Sequence, residues 1–315
     1  MPTAARFLFV RVLGLPMLKG VLIVVCSLCP RMCAAERNET EGRGACGLPS
    51  VAHVARAALH FGEEPCISGE RGSGTVFFGG CTLACAFCQN REISRTAAGL
   101  PVSAERLAAI FEELEAQGAH NINLVSPTPW VATIRKALEL RRPTVPGVYN
   151  SSGYERVETL RSLEGLIDVY LPDVKYADDA LALSLSGVPN YVETATAAVA
   201  EMVRQTGRVQ FDEQGIALRG TIVRHLVLPG HTNDSLRVLE RLSQIDDIFV
   251  SLMFQYTPMD EIDGHRELSR RLTQRECDKV FDRLVALGLT DGYVQSRESA
   301  GVAMIPVFDG TGVRV

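Results

Sequence analysis

Two periods of hydrophobicity alternate along this chain. Short apolar runs rich in β-branched and aromatic residues give way to stretches in which apolar residues return every three or four positions, the pattern of strands alternating with amphipathic helices. Thr75-Val76-Phe77-Phe78 is the first clear strand, entered through Gly72-Ser73-Gly74. The stretch Val51–Gly62 leads up to it; His60, Glu63 and Glu64 read as a lone histidine and a solvated acidic pair in preference to residues facing a site. Ser103 stands where a helix N-cap is expected, Leu107, Ile110, Phe111 and Leu114 fall on one helical face, and Gly118 ends that helix. Asn121–Val125 reads as the second strand and Trp130–Arg141 as the next helix. Further strands are expected at Val145–Tyr149, Leu166–Leu171, Thr221–Leu228 and Ile248–Phe254. Helices fill the intervals at Arg156–Leu163, Leu236–Ile245 and Leu272–Leu287, with two more in 178–206 broken near Gly187-Val188-Pro189-Asn190. About six such alternations predict an α/β fold of parallel β/α units with right-handed crossovers. About 240 residues follow the start of the first strand, short of the ~250 of a typical closed eight-unit barrel. No internal repeat of roughly 20–50 residues is present.

Composition adds limits. Hydrophobic residues are 46% of the 315, enough for a well-buried core. The net charge of −5, without a long basic run, gives nucleic-acid binding no support. Residues 6–25 are apolar but interrupted by Arg11, Pro16 and Lys19, so no run reaches the ~18 residues of a membrane helix, and no membrane partner is expected. Either Gly20–Val25 is a first element leading into the cysteines behind it, or translation starts further downstream. The expected division is an apolar leader over 1–25, a Cys-rich segment over 26–70 and a barrel over 71–315.

The chemistry lies in the cysteines. Seven of the nine form two groups at metal-like spacings, which argues for a reducing, cytoplasmic compartment rather than a disulfide framework. Cys66 and Cys277 stand alone and read as small buried hydrophobes. Cys81, Cys85 and Cys88, spaced Cys-x3-Cys-x2-Cys behind Gly79-Gly80, supply three thiolates within eight residues. A cube of four irons takes four ligands, so three leave one iron open to a small molecule. A structural zinc site closes with four ligands, and no fourth Cys or His follows Cys88 within 25 residues. Cys26, Cys29, Cys33 and Cys46, spaced Cys-x2-Cys-x3-Cys-x12-Cys, offer four thiolates, suited either to zinc or to an auxiliary iron–sulfur cluster, or else simply packed. The polar run Glu36–Gly44 reads as the loop closing that second group.

The segment Gly80-Cys81 through Phe87-Cys88-Gln89-Asn90-Arg91 resembles the cluster loop of the radical S-adenosylmethionine (SAM) enzymes, in particular pyruvate formate-lyase activating enzyme and its uncharacterised relatives. The resemblance runs from about Cys26 to the C-terminus and is sharpest in this loop. It implies an open, partial (β/α)6 TIM-like barrel with a small Cys-rich N-terminal extension. It also implies a [4Fe–4S] cluster on Cys81, Cys85 and Cys88, with SAM on the open iron. An electron donor of flavodoxin or ferredoxin type drives cleavage of SAM to a 5′-deoxyadenosyl radical, which takes hydrogen from a substrate. Phe87 is expected near the adenine. Site residues carry over at the strand ends, where parallel β/α folds place their chemistry. Asn150 matches a SAM contact, Asp173 and Lys175 match an Asp-x-Lys pair near SAM, and Arg224 matches a SAM-contacting arginine. Gln255 or its neighbour Tyr256 takes the place of a SAM-contacting histidine. Ser126-Pro127-Thr128 replaces the family's Gly-Gly-Glu: Ser126 and Thr128 either accept a hydrogen bond from SAM or form a plain turn with Thr128 as N-cap. The function implied is an oxidoreductase or lyase that activates a glycyl-radical enzyme. Modification of another protein or a small molecule, and a non-catalytic metal-binding or assembly role, are the alternatives.

Overall fold

The computed structural model describes residues 24–259, 262–299 and 305–314; most of the apolar leader expected over 1–25 lies outside them. Strands β1 (Val24–Cys26) and β2 (Ala35–Arg37) form a small antiparallel pair with Cys26 opposite Ala35. Strand β3 (Ala52–His60) runs antiparallel between β4 (Ser73–Phe78) and β5 (Leu100–Val102). From β4 the sheet is parallel, through β6 (Ile122–Val125), β7 (Gly147–Ser151) and β8 (Val169–Pro172). It continues through β10 (Ala217–Leu226), β11 (Phe249–Met253) and β12 (Gly292–Gln295), with the short β9 (Gln210–Phe211) clipped antiparallel to β10. Among the described residues β5 and β12 end the sheet, so the parallel run curves without closing, the open barrel expected of six β/α units.

Each of the six expected strands is present, and β12 extends the run beyond them. The structure also defines β3, over a stretch whose pattern predicts no element. Its signal is weak because four of its nine residues are alanine, which favours neither period strongly. Ser103 caps the helix Ala104–Ala116 by accepting the Arg106 N–H at 3.2 Å. Leu107, Ile110, Phe111 and Leu114 bury that helix against Val76 and Leu124 of the sheet, joined by Ile134 and Leu138 of the next helix. A second packed group sets Val238, Leu239, Val280 and Leu284 against Val223 and Val250. Among the described residues no helix is long and apolar enough to cross a membrane.

The β1–β2 pair is bolted to this sheet by Arg37, which is 4% exposed. Its guanidinium donates to the carbonyls of Leu48 and Pro129, each at 3.0 Å, and to that of Pro49, while lying 5.1 Å from the centre of the Trp130 ring. The Trp130 indole in turn donates to Gly79 O at 2.9 Å, immediately before the cluster-type loop. Replacing Arg37 by alanine leaves these buried carbonyls without donors. Arg37→Ala is expected to destabilise the fold by about 3 kcal/mol in chemical denaturation. A loss within experimental error would show that the N-terminal pair is docked by other contacts.

Candidate functional site

Gly79 and Gly80 set the path out of β4. A Cβ on Gly79 would stand 2.1 Å from Ala98 O, and Gly80 has φ +82° with Leu48 where a side chain would go. The chain then folds over the C-terminal mouth of the barrel and is pinned there by backbone bonds. Ala84 N donates to Ser186 O at 2.9 Å and Ala86 N to Leu185 O at 2.8 Å, both at the end of the helix Asp179–Ser186. Arg31 adds a bond from the N-terminal segment, its Nε donating to Thr82 O at 3.0 Å.

Beneath this loop lies a cavity of about 280 Å³ lined by Cys81, Cys85, Cys88 and Phe87 together with Asn150, Asp173, Lys175, Arg224, Ser126 and Gln255. Residues far apart in sequence and expected at the site are thereby gathered in one chamber. Thr128 is not among them. It is buried, and its hydroxyl donates to Glu155, a carboxyl that also accepts from Tyr149 OH at 3.3 Å. Neither role expected for Thr128 therefore holds: it does not reach the cavity, and the following helix Val131–Leu140 begins without its side chain as cap. Tyr256 points away too, its hydroxyl donating to Leu268 O at 2.8 Å, so that Gln255 is the residue facing inward. Ser126 has φ 58°, the left-handed region that favours glycine, at the position where the resembled family carries Gly-Gly-Glu.

The acidic residues read as solvated are a correction. Glu63 and Glu64 follow β3, whose end pairs with the start of β4, and they form the floor of the cavity; His60 lines it as well. Glu64 is 2% exposed. The sequence carried a hint in two adjacent acids between a strand end and Pro65, a place from which they can turn into a barrel, but nothing in the local pattern demanded it.

A charge network joins floor to walls. Arg224 donates from Nε to Asp173 at 2.8 Å, from Nη1 to Glu63 at 3.0 Å and from Nη2 to Asn150 at 2.6 Å. Lys175 Nζ donates to the other oxygen of Asp173 at 2.6 Å. Asn123 and Asn150 each donate to Glu63 Oε1 at 3.1 Å. Burial works to raise Asp173, but Arg224 and Lys175 prevail and hold its carboxyl below the ordinary range. Burial likewise opposes the charge on Lys175, and Asp173 with Cys85 keeps its pKa above the usual value. Glu63 and Glu64 are pushed up by burial more than Arg224 can offset. Glu64 Oε2 and Gln255 Oε1 have no hydrogen-bond partner within the protein.

The thiols have a matching environment. Burial pushes Cys81 up to about 12, with Cys85 and Cys88 adding to it, so bound metal is what would hold it as thiolate. Cys85 Sγ accepts from Ser186 Oγ at 2.9 Å and Cys81 Sγ from Leu83 N at 3.4 Å, the hydrogen bonds to sulfur that tune an iron–sulfur centre. Among the described residues only His231, His265 and Glu267 bring three donor atoms of this kind within 4.8 Å of one another. The loop thiols are therefore spread more widely than one tetrahedral zinc requires, about 3.8 Å between sulfurs. Three spread thiols, no fourth cysteine in the cavity lining and donors aimed at sulfur fit a cluster with one iron left free.

Comparison with known proteins identifies the family. The family profile of the Radical SAM superfamily matches residues 75–242. An uncharacterized protein of Methanocaldococcus jannaschii is 31% identical over 268 residues, covering 82% of this chain and 73% of that one. The chain belongs to the radical SAM superfamily, and membership implies a [4Fe–4S] cluster and SAM. Among solved structures it is similar to SuiB of Streptococcus suis, with 11% identity, a TM-score of 0.47, and coverage of 71% of this chain and 48% of SuiB, so it spans about half of SuiB's length. It is also similar to a domain of a pyruvate-formate lyase-activating enzyme from Bacteroides vulgatus, with 14% identity, a TM-score of 0.37, and coverage of 61% of this chain and 91% of that domain.

Glu155 generates a prediction on stability. Burial raises its pKa from 4.5 to about 7, against the bonds from Thr128, Ser151 and Tyr149. The folded protein therefore holds this proton across a window in which the unfolded chain has lost it, and stability falls as pH rises through that window. The stability of wild type relative to Glu155→Gln should drop by a few kcal/mol between pH 4.5 and about 7, then level off. Parallel urea titrations at several pH values check this, and parallel curves for the two proteins would contradict it.

Proposed function

We propose that Cys81, Cys85 and Cys88 hold the [4Fe–4S] cluster and that Asn150, Asp173, Lys175, Arg224, Ser126 and Gln255 hold SAM beneath it. The observation that carries this reading is the convergence of the three thiols and the Arg224 network on one cavity. When bound, cluster and cofactor supply a one-electron reductive cleavage that delivers a hydrogen-abstracting radical. The protein's own part is placement and exclusion of water. Lys175, held against Asp173, presents an ammonium to the SAM carboxylate, and Phe87, packed edge-on to Tyr256 at 6.4 Å, offers an apolar face to the adenine. Tyr191 fixes the segment that carries Lys175, accepting from Lys175 N at 2.9 Å and donating to Asp173 O at 3.0 Å.

The substrate reading is an activase-like one, removal of hydrogen from a backbone glycine of a partner enzyme. It is supported by the Asp173-Val174-Lys175 segment and the Pro229-Gly230 turn of the resembled activating enzymes. The Cys26, Cys29, Cys33 and Cys46 group belongs to the same reading as a second metal site.

Anaerobic reconstitution with iron and sulfide, followed by SAM and dithionite, tests the reading by formation of 5′-deoxyadenosine. Cys85→Ala should abolish this product, and a wild-type rate in that variant would refute the ligand assignment. Lys175→Ala removes a charged contact to SAM and should weaken its binding by roughly tenfold or more in equilibrium dialysis of the reconstituted protein; unchanged affinity would remove Lys175 from the SAM site. An intact cluster that binds SAM without cleaving it would favour a non-catalytic role.

A further inference from the structure

Two histidines and a glutamate meet at the barrel mouth without lining the cavity under the cysteine loop. His231 closes the Pro229-Gly230 turn beyond β10 and precedes the helix Thr232–Leu242; His265 and Glu267 belong to the segment beyond β11, at the short helical turn Arg266–Ser269. One oxygen, Glu267 Oε1, lies 2.9 Å from His231 Nε2 and 3.1 Å from His265 Nδ1. An ionised carboxylate only accepts, so both rings turn a nitrogen to the same point. The three atoms lie within 4.8 Å of one another. On a tetrahedral zinc with bonds of about 2.0–2.1 Å, neighbouring ligand atoms stand about 3.3 Å apart, so a small outward movement of the carboxylate seats an ion.

The surroundings are built to hold this meeting point. Gly230 has φ +79°, and a Cβ there would stand 2.8 Å from Glu267 Cγ, so glycine gives the carboxylate its room. Glu276 braces both sides without joining the group, accepting from Gly230 N at 2.8 Å and from Arg270 Nη1 at 2.7 Å. Leu268, buried next to Glu267, belongs to the same apolar group as Leu83 and Phe87 of the cysteine loop. Behind His265 stands Ser184 of the helix Asp179–Ser186, its Oγ 2.7 Å from Nε2. With Nδ1–H donated to Glu267, Ser184 donates to Nε2. Once Nδ1 gives its lone pair to a cation, the hydrogen sits on Nε2 and Ser184 accepts it. A hydroxyl serves both states, and an outer hydrogen bond of this kind orients a ligating imidazole. The His231 and Glu267 side chains are 22% and 32% exposed, which leaves a cation a way in.

We propose that His231, His265 and Glu267 bind one zinc-class divalent cation, with water as the fourth ligand. The ion clasps the segment beyond β11 to the turn beyond β10 and, through Ser184, to the helix on which the cysteine loop is pinned. Two imidazoles and one carboxylate suit zinc, whereas magnesium and calcium seek oxygen alone. No electron moves: the ion sheds water, and each imidazole hydrogen facing Glu267 shifts to the other ring nitrogen. The site shares no residue with the chamber and stands whatever the chamber holds.

Zinc content of the reconstituted full chain, dialysed to equilibrium against a series of buffered zinc concentrations, tests the site. Wild type should hold one zinc per chain more than His231→Ala/His265→Ala, in which every cysteine is intact. Glu267→Gln keeps an acceptor for both rings and so guards against misfolding, but it loses the anionic ligand. Its zinc affinity at this site should fall by tenfold or more, and that of Ser184→Ala by roughly tenfold. Unchanged zinc binding in Glu267→Gln overturns the site, whatever the double variant does. Hydrogen exchange then tests the clasp: zinc should slow the amides of 262–270 in wild type and not in Glu267→Gln. Zinc bound without that protection overturns the clasp.

Discussion

Arg224 donates through all three of its nitrogens to three separate parts of the chain, and the interior of the barrel is arranged around that fact. From near the C-terminal end of β10 it reaches Asp173 beyond β8, Asn150 on β7 and Glu63 beyond β3. Burying so many charges is expensive, and a network like this adds little net stability compared with an apolar core of the same shape. Its value is positional. Each carboxyl and amide around the guanidinium has one orientation that satisfies the rest, so the wall residues facing the cavity are held at fixed heights before any ligand enters.

The loop above that network is fixed by equally specific means. Gly79 and Gly80 allow the backbone to pass where side chains would collide with Ala98 and Leu48. Ser186 anchors the loop twice, by its carbonyl to Ala84 N and by its hydroxyl to Cys85 Sγ. The Tyr176 and Ser186 hydroxyls lie 2.6 Å apart, which ties that bond to the aromatic packing of Tyr154, Tyr176 and Tyr191. The cysteine sulfurs of the loop thus sit on a support that runs through the helix Asp179–Ser186 into the wall bearing Asp173 and Lys175.

Much of this was legible in the residues alone, for identifiable reasons. The parallel strands are short, largely buried runs flanked by turn signals, which makes them legible, and the cysteine spacing is a chemical constraint that survives without structural context. Strand β3 was not found because its alanines carry little preference, and β12 because four residues at a half-exposed sheet edge bury too little to leave a pattern. Glu63 and Glu64 escaped because adjacent acids outside a strand look the same whether they face water or an enclosed floor; only the antiparallel return of β3 turns them inward. Thr128 was misjudged for the complementary reason. Position at a strand end marks it as available, but the partner that claims its hydroxyl, Glu155, comes from a different loop.

Two acceptors in the chamber, Glu64 Oε2 and Gln255 Oε1, have no hydrogen-bond donor in the protein, although Arg224 Nη1 stands 3.7 Å from Glu64 Oε2 as an ion pair. Gln295 links them, donating to Glu64 Oε1 at 3.3 Å and accepting from Gln255 Nε2, so its amide is already committed to both. A buried polar atom in that condition carries a penalty of about 1–3 kcal/mol. Both atoms line or border the chamber and are placed to accept from an ammonium or amide hydrogen of a bound molecule. The chamber's far side thereby discriminates by hydrogen-bond polarity, welcoming groups that carry protons over groups that only accept them.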